Sequence, residues 1–356
     1  MADRPGPFSG RCQSLLVLSI AHDGKNGTFD TGARHMIRTD PETPDLFLTP
    51  VDEVFVRNHL GPHPRLDRAT WSLTVEGLVE RPLRLDFPAV QALPQVRLTA
   101  VHECFGNPLR PTVPTRAVTN LEWAGVPLAA VLELAGPLPQ ARHVWLEGAD
   151  TGDFAGESGL SYLKDLPLDQ ASSEVVLAHT MNGEPLRPDH GYPLRAVAPR
   201  MFGTNSVKWL SRIVLAADRP DHVFTTRLYT RVLPGEYEAR PVREKDVSSK
   251  LLTPGDGSSV PAGSCELAGY AWSSTEVTSV EIAVDDADWQ PATLDRRGPD
   301  PAWQRFRLRH DLAPGPHRIR CRATDSAGRV QPLTGDRNAV HEIHVLAEPS
   351  AIPGGH

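Results

Sequence analysis

Short runs in which apolar and polar residues alternate predict a chain built mainly from β-strands. Within 70–75 every second residue is apolar, and Trp71 begins that apolar face. The run 96–101 alternates in the same way and leads through His102 and Glu103 directly to Cys104. Further strands are predicted at 144–146, 175–178, 194–198 and 207–215.

Helical patterns are fewer and shorter than the strand patterns. One short helix is predicted at 87–93 and a clearer one at 126–135, where Pro127 suits the first turn and Gly136 suits the position just past the end. The mixture does not repeat as strand–helix–strand units, so an α+β domain is favoured over a doubly wound sheet. No GxGxxG or GxxxxGK[ST] motif occurs, which argues against ordinary dinucleotide and P-loop sites.

The pattern changes after a segment rich in Ser, Gly, Pro and charged residues at 243–264. Beyond it no helical pattern is found, and short strands recur at regular spacing, which indicates an immunoglobulin-like β-sandwich of roughly 100 residues. These strands are predicted at 266–272, 279–284, 304–309, 317–323 and 341–346. The predicted organisation is an N-terminal arm at 1–44, a catalytic domain at 45–243, the sandwich at 244–348 and a tail at 349–356.

Composition narrows the classes of partner. The net charge of −7 argues against nucleic acid, which requires a basic face. No apolar run reaches the roughly 18 residues that span a bilayer, so no membrane span is predicted. The apolar segment 14–21 is interpreted as a strand or tail, with a signal remnant as the alternative. A cytoplasmic location is therefore expected, and a periplasmic one stays open.

The chain has four cysteines and no CxxC pair, so zinc ribbons and thioredoxin-like motifs find no support. Cys265 and Cys321 fall on apolar faces of predicted sandwich strands. A disulfide between the two sheets is geometrically possible. Two buried thiols in a reducing compartment are the favoured alternative.

Cys104 has a context that calls for a chemical explanation. It ends a strand and precedes a Gly-Asn-Pro turn, where a ligand can approach the backbone at Gly106. A lone cysteine is more often a small core hydrophobe. The neighbouring sequence therefore decides between the two interpretations.

Four segments together carry a family resemblance. They read FVRNH at 55–59, HECFGN at 102–107, DHGYPLR at 189–195 and NSVKWL at 205–210. In this order and at these separations they resemble the signature segments of the sulfite oxidase family. The resemblance covers about 45–348.

The resemblance implies a sulfite-oxidase-like molybdopterin-binding domain followed by an immunoglobulin-like sandwich that forms a homodimer. It implies a molybdenum cofactor in which Cys104 is the protein ligand, and a soft thiolate suits a metal already bound by the pterin's sulfurs. Cations, amides and imidazoles suit the phosphate and polar edges of a pterin. The matching cofactor-binding candidates are Phe55, Val56, Arg57, Asn58, His59, Asp150, His190, Arg195, Ser206, Val207 and Lys208.

Two further candidates concern the substrate. The resemblance places Arg57 at the border of the substrate pocket, and Tyr229 is the candidate for the family's active-site tyrosine. The chain departs from the family after Asn107, where two adjacent arginines are typical and Arg110 alone follows nearby. Arg337 is an uncertain match to the arginine expected late in the sandwich. An anion pocket with fewer arginines binds sulfite more weakly.

The implied activity is oxygen-atom transfer that oxidises sulfite to sulfate, with electrons passed to a separate acceptor such as a small cytochrome. No haem is expected on this chain, because no CxxCH motif or cytochrome-b5-like stretch is found. One alternative is a molybdenum reductase of a nitrate- or sulfoxide-type substrate. A second alternative is a non-catalytic binding protein that uses the sandwich for adhesion or assembly.

Overall fold

A computed structural model describes residues 47–108, 117–233, 235–335 and 337–349. In the N-terminal part the strands are β1 Ser72–Gly77, β2 Leu83–Asp86, β3 Val96–Glu103, β4 Val118–Pro127, β5 His143–Phe154, β6 Glu157–Pro167, β7 Val176–Met181, β8 Glu184–Pro185, β9 Arg195–Val197, β10 Leu210–Ala216, β11 Thr230–Arg231 and β12 Arg240–Pro241. Its α-helices are α1 Phe87–Gln91, α2 Leu128–Ala135 and α3 Leu168–Glu174.

The described residues of the N-terminal part form two five-stranded sheets and the two-stranded sheet β11-β12. The first has the order β2-β1-β10-β5-β6, and only its β1–β10 pair is parallel. The second has the order β3-β4-β7-β8, with β9 paired to β7. The apolar face predicted for the first strand is buried, since Trp71, Leu73 and Val75 are each at most 6% exposed. The polar motifs lie at the ends of these strands. Because the apolar faces are buried, the strand ends come together around a common cavity.

The predicted helix at 126–135 is wrong at its beginning. Val126 and Pro127 complete β4, and the helix begins at Leu128. Gly136 does end the helix in the left-handed conformation, at φ 69°. The other predicted helix is short, as expected, and begins where the Asp86 side chain accepts a hydrogen bond from the Ala89 amide at 2.8 Å.

Strand boundaries also shift. The strand predicted at 207–215 begins only at Leu210, because 203–209 form a turn beside the cavity. Several elements were not predicted, among them the long strands β4 and β6 and the helix α3. Strand β6 and helix α3 lie in a stretch where charged residues interrupt the apolar pattern.

The C-terminal part consists of two sheets that share one apolar core. The sheet orders are β13-β15-β19-β18 and β14-β21-β20-β16-β17. Its strands are β13 Ser248–Thr253, β14 Ser259–Pro261, β15 Gly263–Trp272, β16 Val277–Val284, β17 Gln290–Pro291, β18 Thr293–Leu294, β19 Gln304–Leu312, β20 Gly315–Asp325 and β21 His341–Glu348.

The sequence predicts a domain boundary and no strand in the segment 243–264, and the structure differs. This segment contains the strands β13 and β14, and β13 pairs along β15 from Ser248 to Thr253. Cys265 and Cys321 are free thiols, so the possible disulfide is absent. Cys321 is fully buried, and the Ser249 hydroxyl hydrogen-bonds its sulfur at 3.3 Å.

The two parts are joined along strand β3. The Val101 amide donates to the Pro301 carbonyl at 3.1 Å, and the Thr99 amide donates to the Asp300 carboxylate at 2.8 Å. Lys245 is completely buried and donates to the Val101 carbonyl at 3.0 Å. These bonds fix the strand β3, which ends at Glu103 directly before Cys104. In the described ranges no helix has both the length and the apolarity that crossing a membrane requires.

Candidate functional site

One cavity of about 710 Å³, measured with its open mouth, lies where the strand ends of the N-terminal part meet. Most of the residues predicted to bind a cofactor line it, although they are far apart in sequence. The residues that line it are Val54, Phe55, Arg57, Asn58, His59, His102, Cys104, Phe105, Asp150, Tyr162, His190, Arg195, Gly203, Thr204, Ser206, Lys208, Trp209 and Tyr229.

Cys104 is held on a tight turn at the end of β3. Its amide donates to the Ala117 carbonyl and its carbonyl accepts from the Asn107 amide, both at 2.9 Å. The Asn107 side chain accepts from the Ala117 amide at 2.7 Å, which closes the loop. Burial raises the pKa of the thiol, while the Gly106 amide and nearby arginines favour the thiolate. The thiol therefore needs a cationic partner, such as a metal ion, to be fully deprotonated.

His59 and Tyr229 form a hydrogen-bonded pair in the wall of the cavity. Nε2 of His59 bonds the Tyr229 hydroxyl, and the imidazole stacks on Tyr162 with ring centroids 5.1 Å apart. Burial and the positive charges of Arg57 and Lys208 lower the pKa of His59 to about 3. Burial raises the pKa of Tyr229 above that of an exposed tyrosine. Both side chains are consequently neutral at physiological pH.

Two cations, the buried Arg195 and the half-buried Lys208, also line the cavity, and no carboxylate of the described residues is hydrogen-bonded to either. Arg195 donates to the His190 carbonyl at 3.0 Å, and its Nε has no partner among the described residues. Lys208 donates to the Asn58 side chain and, at 2.8 Å, to the Asp189 carbonyl. Burial lowers the pKa of Arg195 to about 9 and that of Lys208 to about 7. An anion bound here would restore their charge, because an opposite charge favours the protonated form.

Asp150 supplies an acceptor in the same wall. Its Oδ1 is buried and has no hydrogen-bond partner among the described residues. Burial raises its pKa to about 6, although Lys208 favours the charged form. The carboxylate fits because residue 148 is glycine: a Cβ there would lie 2.5 Å from Asp150 Oδ1 and 2.7 Å from the Lys208 carbonyl. An N–H-rich ligand edge would satisfy this oxygen.

A few predicted residues lie elsewhere. Val56 and Val207 do not line the cavity, and Val207 is fully buried, where its carbonyl accepts from the Ala196 amide at 2.8 Å. Arg110 lies outside the described residues. Arg337 is also absent from the lining, because its guanidinium contacts protein groups behind the Cys104 loop.

Several lining residues were not singled out from the sequence. His102, Phe105 and Trp209 belong to the quoted segments, so the segments themselves carried the signal. Tyr162 and Thr204 had no such signal. The Tyr162 hydroxyl donates to the Thr204 carbonyl at 2.8 Å, a contact between positions 42 residues apart that only the fold reveals.

Comparisons with known proteins agree with this geometry. The model of the oxidoreductase molybdopterin binding domain matches residues 60–224. Sulfite oxidase from Arabidopsis thaliana is 32% identical over 332 residues, which cover 80% of this chain and 82% of that protein. The chain belongs to the sulfite oxidase family. Membership of this family of molybdoenzymes argues against the non-catalytic binding-protein alternative.

Other relatives define the breadth of the family. Human mitochondrial sulfite oxidase is 31% identical over 344 residues, and this chain spans 62% of its length. An inducible nitrate reductase from Glycine max is 32% identical over 310 residues, which cover 74% of this chain and 34% of that protein. The sulfane dehydrogenase SoxCD from Paracoccus pantotrophus has the same fold, with a TM-score of 0.76 and 26% identity over 93% of this chain and 92% of that chain. The sulfite-oxidase-like fold thus extends over both parts of the molecule.

The cavity fits a molybdopterin on its own chemistry. Cys104, whose sulfur is a soft metal donor, lines it. Arg195 is buried and Lys208 is half-buried, and both are cations able to hold a phosphate. The Asp150 oxygen, which has no partner among the described residues, can accept from a pterin N–H. Thiol, cations and acceptor thus occur together in one cavity.

Proposed function

We propose that this protein oxidises sulfite to sulfate by oxygen-atom transfer at a molybdenum cofactor held in the cavity, and that it passes the electrons to a separate acceptor. The observation that carries the proposal is the meeting of Cys104 with Arg57 and the His59–Tyr229 pair in one cavity. The cofactor, when bound, supplies the two-electron redox couple and the oxygen atom. The chain supplies binding, orientation and charge.

The roles of the cofactor residues follow from their donors. Cys104 is the thiolate ligand. Arg195 and Lys208 bind the phosphate, while Asn58 and His190 orient the cation side chains and offer further polar contacts. The remaining candidates, Phe55, Asp150 and Ser206, shape the cavity wall and meet the pterin edges.

Arg57 and Tyr229 serve the substrate. Arg57 is exposed at the cavity rim, where its guanidinium attracts an oxyanion and binds it with two parallel N–H donors. A neutral imidazole carries one N–H. When Nε2 of His59 donates that N–H to the tyrosine oxygen, the tyrosine proton is free to donate to an oxygen of the substrate.

The assignment of domains accompanies this proposal. We propose that 45–243 bind the cofactor and that 244–348 form an immunoglobulin-like dimerisation domain. The separate apolar cores of the two parts and the two facing sheets of the C-terminal part support this division. The electron acceptor would be a separate redox protein such as a small cytochrome.

A second candidate is nitrate reduction on the same metal. It is favoured by the 32% identity to plant nitrate reductase over 74% of the chain. The absence of paired arginines directly after Asn107 also weakens the sulfite pocket that the family resemblance implies. The sulfane dehydrogenase relationship adds a sulfane-sulfur compound as a third substrate to test.

A steady-state assay distinguishes these substrates. The protein is produced in a host that makes molybdopterin, checked for molybdenum and pterin, and assayed with sulfite or a sulfane-sulfur compound plus an artificial acceptor. Nitrate is assayed in parallel with a reduced viologen dye. Saturable sulfite oxidation that is lost in Cys104→Ser and kept in Cys265→Ser supports the proposal. Turnover of nitrate or sulfane sulfur alone, by fully loaded protein, contradicts it.

A further inference from the structure

Arg337 belongs to the C-terminal part of the chain, but its guanidinium contacts the N-terminal part at the turn 104–107, which we call the cysteine loop. Its Nη2 donates to the Asn107 carbonyl at 2.5 Å and lies 3.3 Å from the Glu103 carboxylate. These two acceptors flank Cys104 on either side in the sequence. A single guanidinium therefore spans the turn that presents the cysteine sulfur to the cavity.

The ion pair between Arg337 and Glu103 is largely buried in the protein. The side chains of Glu103 and Arg337 are 2% and 12% exposed, and the Trp272 indole N–H donates to the second Glu103 oxygen at 3.0 Å. The other end of the guanidinium, Nη1, pairs with Asp246 at 3.0 Å. Removing one partner of such a buried pair leaves the other charge without compensation, which is strongly destabilising. The contact between Arg337 and Glu103 is therefore held firmly.

Aromatic packing fixes the direction of the same side chain. The guanidinium carbon of Arg337 lies 5.1 Å from the ring centroid of Phe105 and 4.6 Å from that of Phe202. Phe105 follows Cys104 directly and lines the cavity. Both the backbone and the first side chain after the cysteine are thus held by one residue.

This geometry does not suit a direct role in substrate binding. Arg337 is not among the described residues that line the cavity, and both of its Nη atoms already bond protein acceptors. Groups that hold a metal ligand from behind set its orientation and tune the metal. The anion-pocket role considered for Arg337 from the sequence is therefore not the one that its contacts support.

We infer that Arg337, paired with Glu103, is a positioning residue through which the C-terminal part orients the Cys104 sulfur toward the metal. The inference rests on the proposed assignment of Cys104 as the metal ligand. It makes the two-sheet part a component of the catalytic scaffold in addition to any role in dimerisation.

The chain offers matched variants for a test. Arg337→Met removes the guanidinium, and Arg337→Lys keeps the charge but cannot span both acceptors and Asp246. Arg231→Met is the control, because Arg231 binds the same Asp246 carboxylate at 2.7 Å and, within the part of the chain that the structure describes, is not hydrogen-bonded to the cysteine loop. If Arg337→Met does not fold, Arg337→Lys carries the test.

Hydrogen exchange of the Cys104 and Asn107 amides in the holoprotein, without sulfite, is the first readout. The Cys104 amide donates to the Ala117 carbonyl and the Asn107 amide donates to the Cys104 carbonyl. Arg337→Met is expected to speed their exchange by about 10- to 100-fold, the effect of one lost hydrogen bond to a charged group. Arg337→Lys should be intermediate, and Arg231→Met should match the wild type.

Kinetics with sulfite give the second readout. A positioning role predicts that kcat falls in Arg337→Met while KM stays near the wild-type value. Unchanged amide exchange together with a raised KM would overturn the inference and make Arg337 a substrate ligand. An equal increase in the exchange rates of these amides in Arg231→Met would overturn the inference too. Exchange is measured without substrate, so a wild type that fails to oxidise sulfite refutes the proposed function and leaves the positioning test intact.

Discussion

The side chains around Tyr229 keep its hydroxyl neutral and fixed. Burial raises the pKa of the phenol, and the pKa of its partner His59 is lowered to about 3. Tyr229 itself has a positive φ of 56°, a conformation that a non-glycine residue adopts only when its surroundings hold it there. Such residues are concentrated at functional sites, which agrees with a role at the substrate.

Replacing Tyr229 by phenylalanine should reduce sulfite oxidation and leave the fold intact. The ring keeps its edge contact with His59, but the hydrogen bond to an anionic substrate is lost. We expect kcat/KM to fall about 10- to 100-fold, as for one hydrogen bond to a charged group. Steady-state kinetics measure this. Tyr237→Phe is the control, since Tyr237 is fully exposed, and an equal effect in both variants would refute the role of Tyr229.

Lys208 makes the stability of the cofactor-free protein depend on pH. Its folded pKa is lowered to about 7 from 10.5, so between these values the unfolded chain binds more protons and stability rises with pH. This lysine adds at most about 1.4 kcal/mol of unfolding free energy per pH unit in that window. Thermal unfolding of cofactor-free protein from pH 7 to 9 should show a smaller rise in Lys208→Met than in the wild type. Equal slopes would contradict the assignment.

Sequence reasoning identified residues of the site where they fall within ordered motifs. Cys104, His190 and Lys208 were named in this way, and the structure brings all three to one cavity. Tyr162 and Thr204 were missed because neither lies in a motif and their mutual contact depends on the fold. The position of Arg337 behind the loop was equally unreadable, since it depends on how the two parts meet.

At the scale of elements, the predicted strands and helices are wrong where polar groups are buried or where one element continues into the next. Strand β6 was missed because Lys164 and Asp165 interrupt its apolar pattern. Both are buried, with Lys164 bonded to the Phe224 carbonyl at 2.6 Å and Asp165 paired with Arg219 at 2.8 Å. The helix α2 was predicted two residues too early, because apolar residues run without a break from the end of β4 into the helix.

Strand β5 lies so close to the cavity wall that there is no room for a side chain at position 148, which is occupied by glycine. Gly148→Ala would place a methyl group against Asp150 and the Lys208 carbonyl. We expect the variant to lose most of its pterin and molybdenum, because both neighbours are displaced from the cavity wall. Gly255→Ala is the control, since no atom of the described residues, apart from residue 255 and its two chain neighbours, lies within 4 Å of the position that its methyl group would take. Equal pterin and metal contents in the two purified variants would contradict this account.

The whole molecule is organised so that loops from several strands converge on one cavity, and the C-terminal part holds them from behind. Lys245 binds the carbonyls of Val101 and Pro199, which precede the cysteine loop and the turn at 203–205. The strand pattern of the C-terminal part was predictable because its faces alternate regularly. Its first strand, β13, was not predicted because it lies in the boundary segment rich in Ser, Gly, Pro and charged residues.

A homodimer is the expected assembly, because the resemblance assigns dimerisation to the sandwich. The C-terminal part also leaves Val330, Leu333 and Leu346 exposed by 50%, 53% and 46%. Light scattering coupled to gel filtration should give twice the mass of the chain and keep that value on dilution through the micromolar range. A monomer at every concentration would refute the expectation.

The central claim is that the sulfur of Cys104 binds molybdenum, and X-ray absorption at the molybdenum edge tests it most directly. The account predicts that the Cys104→Ser protein has one sulfur neighbour fewer around the metal than the wild type, whereas Cys265→Ser has the same number. A metal with the same sulfur shell in wild type and Cys104→Ser would contradict the account.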